Sequence, residues 1–227
     1  MQKIIIAIDG HSATGKSSTA KKVAKHLRYI YLDSGAMYRA TTLYFMRNNI
    51  QLDDVEEVNK ALRNINVEFT KNEQGLPLTY LNGEIIEDQI RSMDVSNNVS
   101  TVSALKSVRK AMVEQQRKLG EHKGIVMDGR DIGSVVFPNA ELKIFMTASA
   151  NVRAERRRQE LLEKGDDTPF EEILTNVIDR DKKDSSRKES PLLKVEDAIE
   201  IDNSNMSFDE QVEKIIKLAE LKITALV

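Results

Sequence analysis

The sequence predicts an α/β fold: a five-stranded parallel sheet with helices on both faces and a small antiparallel insertion. Three observations carry that prediction. Five short apolar runs recur along the 227 residues, helix-period stretches separate most of them, and one segment, 66–86, alternates instead. Alternation of apolar strands with helices requires a sheet covered on both sides, and such sheets bind ligands at the carboxyl ends of their strands.

The first run, Lys3 to Ile8, leads into G-H-S-A-T-G-K-S at Gly10 to Ser17 and then a helix-compatible stretch from Ser18 to Leu27. Strand, glycine loop and helix in that order are the context of a phosphate-binding P-loop. Main-chain N–H groups of such a loop point into a concavity, the helix adds its positive dipole end, and a lysine reaches the outer phosphates. Gly10, His11, Ser12, Ala13, Thr14, Gly15, Lys16, Ser17 and Ser18 are therefore the expected nucleotide-phosphate contacts. Ser17 is placed to offer its hydroxyl to magnesium. Ala13 stands where many such loops carry a third glycine, and His11 is expected to cap or solvate the loop.

The other strands are expected at Tyr29 to Leu32, Gly124 to Met127, Leu142 to Thr147 and Ala198 to Ile201. Between the second and third, Asn66 to Thr70 alternates, Asn72 to Pro77 breaks, and Leu78 to Leu81 runs through Asn82-Gly83 to Glu84-Ile85-Ile86. Asn-Gly between two such runs marks a two-residue hairpin. The insertion is thus expected over 64–92, with the core formed by 1–63 and 93–227. Thr168-Pro169-Phe170-Glu171 has capping-box spacing with proline at the first helical position, and Ser207 to Glu210 repeats the box before an amphipathic C-terminal helix. Gly165-Asp166-Asp167 is the best candidate for a mobile loop.

Composition narrows the chemistry. Lys and Arg total 34 against 36 Asp and Glu, so the net charge of -2 gives no global attraction to nucleic acid or anionic membrane. Cysteine is absent, which removes disulfides, thiolate metal sites and cysteine nucleophiles. No apolar run approaches a membrane span, and the opening residues form a short strand. A cytoplasmic location is expected.

Three clusters at later strand ends could receive a transferred group. Asp33-Ser34-Gly35-Ala36-Met37-Tyr38-Arg39 closes the second strand, and there Ser34 and Arg39 could hold an anion. Asp128-Gly129-Arg130-Asp131 ends the third; an apolar run followed by aspartate suits Asp128 to orienting magnesium opposite the P-loop serine. Arg153, Arg156 and Arg157 fall on one helix face, and Arg180 and Arg187 follow. Beside a P-loop this reads as an arginine-rich lid, over about 150–167, that neutralises charge on a transferring phosphoryl group.

With these motifs in place, the chain resembles the bacterial cytidylate kinases, P-loop nucleoside monophosphate kinases. The resemblance runs nearly end to end and rests on G-H-S-A-T-G-K-S at 10–17, D-S-G-A-M-Y-R at 33–39 and S-V-R at 107–109. D-G-R-D-I-G-S-V-V-F-P at 128–138 and R-D-K-K-D-S-S-R at 180–187 complete it. It implies a sheet of the nucleoside monophosphate kinase type, with ATP as phosphoryl donor, magnesium, and CMP or dCMP as acceptor. It further implies that Ser34, Arg39 and Arg130 hold the acceptor phosphate with support from Tyr38, and that Ser100, Arg109 and Asp131 face cytosine. Arg180 and Asp184 would contact the acceptor sugar region and Arg187 a phosphate. Lys16, Arg130, Arg153, Arg157, Arg180 and Arg187 are the expected catalytic set, and the antiparallel insertion belongs to the acceptor side.

Elementary chemistry agrees with the base assignment. Cytosine offers an exocyclic amine beside acceptor atoms N3 and O2, so a carboxylate with a guanidinium matches it, while uracil reverses the pattern. A phosphate monoester is already largely dianionic at neutral pH, with a second pKa of about 6, so no general base is required. Closure to exclude water is expected around hinges near residues 64, 92, 150 and 165, in a monomer. A small-metabolite kinase would need a base for a hydroxyl acceptor. A GTP switch would need N-K-x-D, whereas Asn59-Lys60 is followed by Ala61-Leu62. The low aromatic content disfavours an RNA-binding module.

Overall fold

The computed structural model describes residues 2–71, 77–163 and 165–226. The chain forms two compact units, one of residues 1–32 and 120–227 and the other of residues 33–119.

The first unit is built on a five-stranded parallel sheet of β1 (Ile5–Gly10), β2 (Ile30–Asp33), β6 (Ile125–Gly129), β7 (Leu142–Thr147) and β8 (Ile199–Asp202), in the order β2-β6-β1-β7-β8. The order reverses on the two sides of β1, so the crevice for a ligand opens beyond the carboxyl end of that strand. All five expected strands exist. Four of them begin and end one or two residues later than the apolar runs, because main-chain ladder bonds are indifferent to side-chain polarity. Asp9 pairs with Gly129 and Gly10 with Met146, which carries the strands into their polar ends.

Helices α1 (Lys16–Leu27) and α8 (Phe208–Thr224) supply apolar stripes to this sheet: Ala20, Val23 and Ala24 from one, and Val212, Ile215 and Ala219 from the other, join Ile6, Ile8, Ile144 and Ile201 in one buried cluster. Ser207 and Glu210 form the expected capping box at the start of α8. The box expected at Thr168 does not form. The N-cap of α7 (Phe170–Ser186) is Pro169, which has no side-chain bond, and the Thr168 hydroxyl donates instead to Asp166 Oδ1 at 2.6 Å. Thr168 lies one residue outside the cap position, and its hydroxyl closes a local turn with Asp166 instead. Helix α6 (Ala150–Leu162) packs along α7 through Ala154, Ile173 and Val177, and the two helices enclose the turn at Gly165, whose φ is 79°.

The second unit holds α2 (Ser34–Arg47), α3 (Val55–Arg63), α4 (Met93–Ala104) and α5 (Lys106–Leu119) around a three-stranded antiparallel sheet. Its strands are β3 (Val67–Lys71), β4 (Pro77–Leu81) and β5 (Glu84–Ile85). Asn82 and Gly83 have φ of 51° and 85°, the left-handed pair that a tight hairpin requires. The break expected after Lys71 lies, up to residue 76, outside the described residues. This unit reaches beyond 64–92 on both sides because Met37, Val58, Leu62, Leu81, Ile90, Val108 and Met112 share one core. The positions near 64 and 92 therefore lie inside it.

Candidate active site

In the first unit, Gly10 ends β1 against β7: a Cβ there would lie 2.1 Å from the Met146 carbonyl oxygen, so only glycine fits. Gly15, at φ 78°, opens α1, and no side chain caps that helix. Its first N–H groups are left for a phosphate. Ala13 adopts φ 57°, a left-handed conformation without the relief glycine would give. The Lys16 ammonium and the Thr14 hydroxyl both donate to the His11 carbonyl, at 2.9 and 3.0 Å. Lys16 is buried, and burial lowers its pKa to about 7. Arg130 and Arg180 push in the same direction, and Asp128 and Asp184 oppose them.

Ser17 and Asp128, far apart in sequence, meet here: the serine Oγ donates to Asp128 Oδ2 at 2.7 Å. Tyr31 donates its phenol to the other carboxylate oxygen, also at 2.7 Å. A hydroxyl and one carboxylate are the hard-oxygen donors that magnesium takes from a protein when nucleotide phosphates and waters complete its octahedron. Among the described residues no cluster of three or more acidic, histidine or cysteine side chains offers a self-sufficient metal cage. The donor set fits a metal that arrives with a nucleotide.

Arg130 Nε donates to Asp184 Oδ2 at 2.7 Å, and Arg187 lies 3.9 Å from both Asp131 and Asp184. Burial would raise the pKa of Asp184, but Arg130, with Arg180 and Arg187, holds it below the usual carboxylate value. Four residues expected to bind the acceptor thus form one charge network with Asp131. Asp131 itself precedes a short π-helical turn, Ile132–Val136, whose Ile132 and Gly133 N–H groups are accepted by Asp9 at 2.8 and 2.7 Å. Burial raises Asp9 to a pKa of about 6, against the lowering effect of those two bonds.

The three arginines of α6 divide. Arg153 is buried, Arg156 donates to both the side chain and the carbonyl of Asn203 at 3.0 Å, and Arg157 is half-buried and donates to Glu160 at 3.1 Å. Asn203, fully buried after β8, also donates to the Thr14 carbonyl at 2.8 Å.

In the second unit, Asp33 caps α2 by accepting the Ala36 N–H at 2.8 Å and pairs with Arg39 at 3.0 Å. Gly35 makes room for that fold-back, since a Cβ would lie 3.0 Å from the Arg39 guanidinium. Ser34 is buried at the first position of α2. Arg109 is buried, stacks 5.2 Å from the Tyr38 ring centroid and donates to the Ser103 carbonyl at 3.2 Å. Ser100 is exposed on α4, where its carbonyl accepts the Ser103 hydroxyl at 3.2 Å.

Asp9, Tyr31, Asp181 and Asn203 are the participants that the sequence alone did not single out. Asp9 did carry a signal, a polar residue directly following an apolar run, and Asn203 a fainter one, two residues beyond its run; Tyr31 carried none.

The family model for cytidylate kinase matches residues 6–221. A cytidylate kinase of Bacteroides thetaiotaomicron is 55% identical over 217 residues, covering 94% of this chain and 95% of that protein. One from Flavobacterium johnsoniae is 53% identical over 222 residues, covering 96% of each. A crystal structure of an uncharacterized protein from Eubacterium ventriosum superposes with a TM-score of 0.52 at 16% identity, over 96% of this chain and 99% of that one, and speaks for the fold alone. The chain belongs to the cytidylate kinase family.

Proposed function

We infer that the protein transfers the γ-phosphoryl group of ATP to CMP or dCMP, giving ADP and CDP or dCDP. The observation that carries this reading is the family match over residues 6–221, within which both acceptor motifs, at 33–39 and 128–131, stand complete.

The P-loop N–H groups and Lys16 take the outer phosphates of ATP. Ser17 and Asp128 would hold magnesium, which would supply positive charge to offset the negative charge that develops on the transferring group. In the second unit, Ser34 and Arg39 take the CMP phosphate, Tyr38 supports the pocket, and Ser100 and Arg109 face cytosine. In the first unit, Arg130 takes the acceptor phosphate and Asp131 accepts from the cytosine amine. Arg180 and Asp184 hold the sugar region, and Arg187 reaches phosphate. Arg157 neutralises the transferring group from α6.

The acceptor oxygen attacks without a base, since the phosphate of CMP has already lost its second proton at neutral pH. Catalysis is alignment of two anions and neutralisation of their repulsion. On this reading the enzyme is cytoplasmic and acts as a monomer on small nucleotides; among the described residues no helix is long and apolar enough to cross a membrane.

The test supplies ATP and magnesium with CMP, dCMP, UMP, AMP, GMP or a small alcohol, and follows ADP. Turnover is expected with CMP and dCMP. Equal turnover of UMP would overturn the base-recognition argument, and preference for an alcohol would overturn the acceptor class.

A further inference from the structure

The phosphate loop needs support from outside itself. Ala13 holds a left-handed φ of 57° that an L side chain adopts only when its surroundings impose it. The loop must also turn its carbonyls outward so that its N–H groups face a phosphate. Lys16 and Asn203 engage the carbonyls of His11 and Thr14. The Thr14 hydroxyl and Arg156 add bonds to the same two carbonyls, at 3.0 and 3.5 Å, and further support comes from a cluster of His11, Arg153 and Asp181.

Arg153 directs its guanidinium along the loop wall. Its Nε donates to the Ala148 carbonyl at 2.9 Å and its Nη1 reaches the Ser12 carbonyl at 3.4 Å. Asp181 takes it in a two-pronged pair, Nη1 to Oδ1 at 3.0 Å and Nη2 to Oδ2 at 2.6 Å. The same Oδ1 lies 3.2 Å from His11 Nδ1. Arg153 is 4% exposed, and four of its five N–H groups are directed at these partners, so it is committed to the loop wall. Burial alone would raise the pKa of Asp181, yet His11 and Arg153 together hold it down, which marks the carboxylate as ionised and shared between them.

We propose that Asp181 is a positioning residue for the phosphate donor: through Arg153 and His11 it fixes the carbonyl side of the P-loop, leaving the N–H side open to ATP. This rests on the kinase reading above. It gives Arg153 a different task from Arg157: holding the loop rather than meeting the phosphoryl group.

The experiment uses the full chain with Asp181→Asn, His11→Ala and the double substitution. Steady-state kinetics give KM for ATP and for CMP, and equilibrium dialysis with magnesium-free ATP gives Kd without turnover. Asp181→Asn is expected to raise both KM and Kd for ATP about tenfold while KM for CMP moves less than twofold. His11→Ala is expected to raise Kd for ATP at least threefold, and the double variant to add little beyond Asp181→Asn, as partners in one contact do. A selective rise in ATP Kd below threefold, or equal rises for ATP and CMP, overturns the proposal. If Asp181→Asn does not fold, His11→Ala decides by the same threshold. A parent protein that binds ATP but leaves CMP unphosphorylated would instead remove the kinase reading, and the ATP Kd values would still judge Asp181.

Discussion

Arg157 keeps 42% of its side chain exposed and pairs with Glu160 one turn along its own helix, while Arg153 on the same face is buried against the loop. A surface pair at that spacing is worth about 0.3–0.5 kcal/mol, because solvent screens it and both side chains lose freedom to form it. Replacing Arg157 by alanine should therefore lower stability by less than about 0.5 kcal/mol, a change that thermal unfolding can bound. A guanidinium that meets the transferring phosphoryl group only in the transition state leaves a different trace. The expected result for Arg157→Ala is a fall in kcat of tenfold or more, with the KM values for ATP and CMP changing less than threefold. Unchanged kcat would return Arg157 to the solvated surface. Sequence spacing put Arg153, Arg156 and Arg157 on one face, but it carries no depth. Three successive side chains of a stripe can meet a carboxylate, an asparagine and water.

The connection from β1 to the turn after β6 shows how one side chain organises an element. Asp9, buried near the end of β1, accepts the Ile132 and Gly133 N–H groups and so fixes the turn immediately following Asp131. In Asp9→Asn, one amide oxygen can serve one N–H, but the NH2 group faces the other donor and leaves it unmatched. An unsatisfied buried donor costs about 1–3 kcal/mol. Urea unfolding should show a loss of that size, and because Asp131 moves with the turn, KM for CMP should rise while KM for ATP holds. Equal effects on the two substrates would separate Asp9 from acceptor recognition. This contact spans 123 residues, and that between Asn203 and Thr14 spans 189. Neither periodicity nor local spacing can report such pairs. The strands, the Asn82-Gly83 hairpin and the box at Ser207 were legible because each depends on residues within a few positions of one another. The box at Thr168, of the same short range, does not form, because Pro169 takes the N-cap position and the Thr168 hydroxyl turns to Asp166. Of the candidate site, the Ser17 and Asp128 meeting was readable from two strand ends, whereas Tyr31 reaches Asp128 from a side chain that resembles any other in an apolar run.

With a net charge of -2, the molecule as a whole draws no polyanion, so its affinity for nucleotides has to be stored locally as cations brought close together. Storage of that kind weakens the empty protein. Lys16 shows the cost: burial first, then Arg130 and Arg180, bring its pKa from 10.5 to about 7 against the pull of Asp128 and Asp184. A lysine whose folded pKa is lowered penalises the fold in full below the folded value, where it is charged in both states. The penalty fades as pH rises from about 7 toward 10.5, because the unfolded chain alone still binds the proton over that interval. Lys16→Met should abolish turnover and yet stabilise the nucleotide-free protein by about 1–2 kcal/mol at pH 6.5, the scale typical of relieving a strained functional site. The difference in unfolding free energy between parent and variant, measured by urea titration from pH 6 to 10, should shrink steadily with rising pH. A difference that stays flat over this range, or a variant less stable than its parent at pH 6.5, would show that the ammonium rests at no electrostatic cost before ATP arrives.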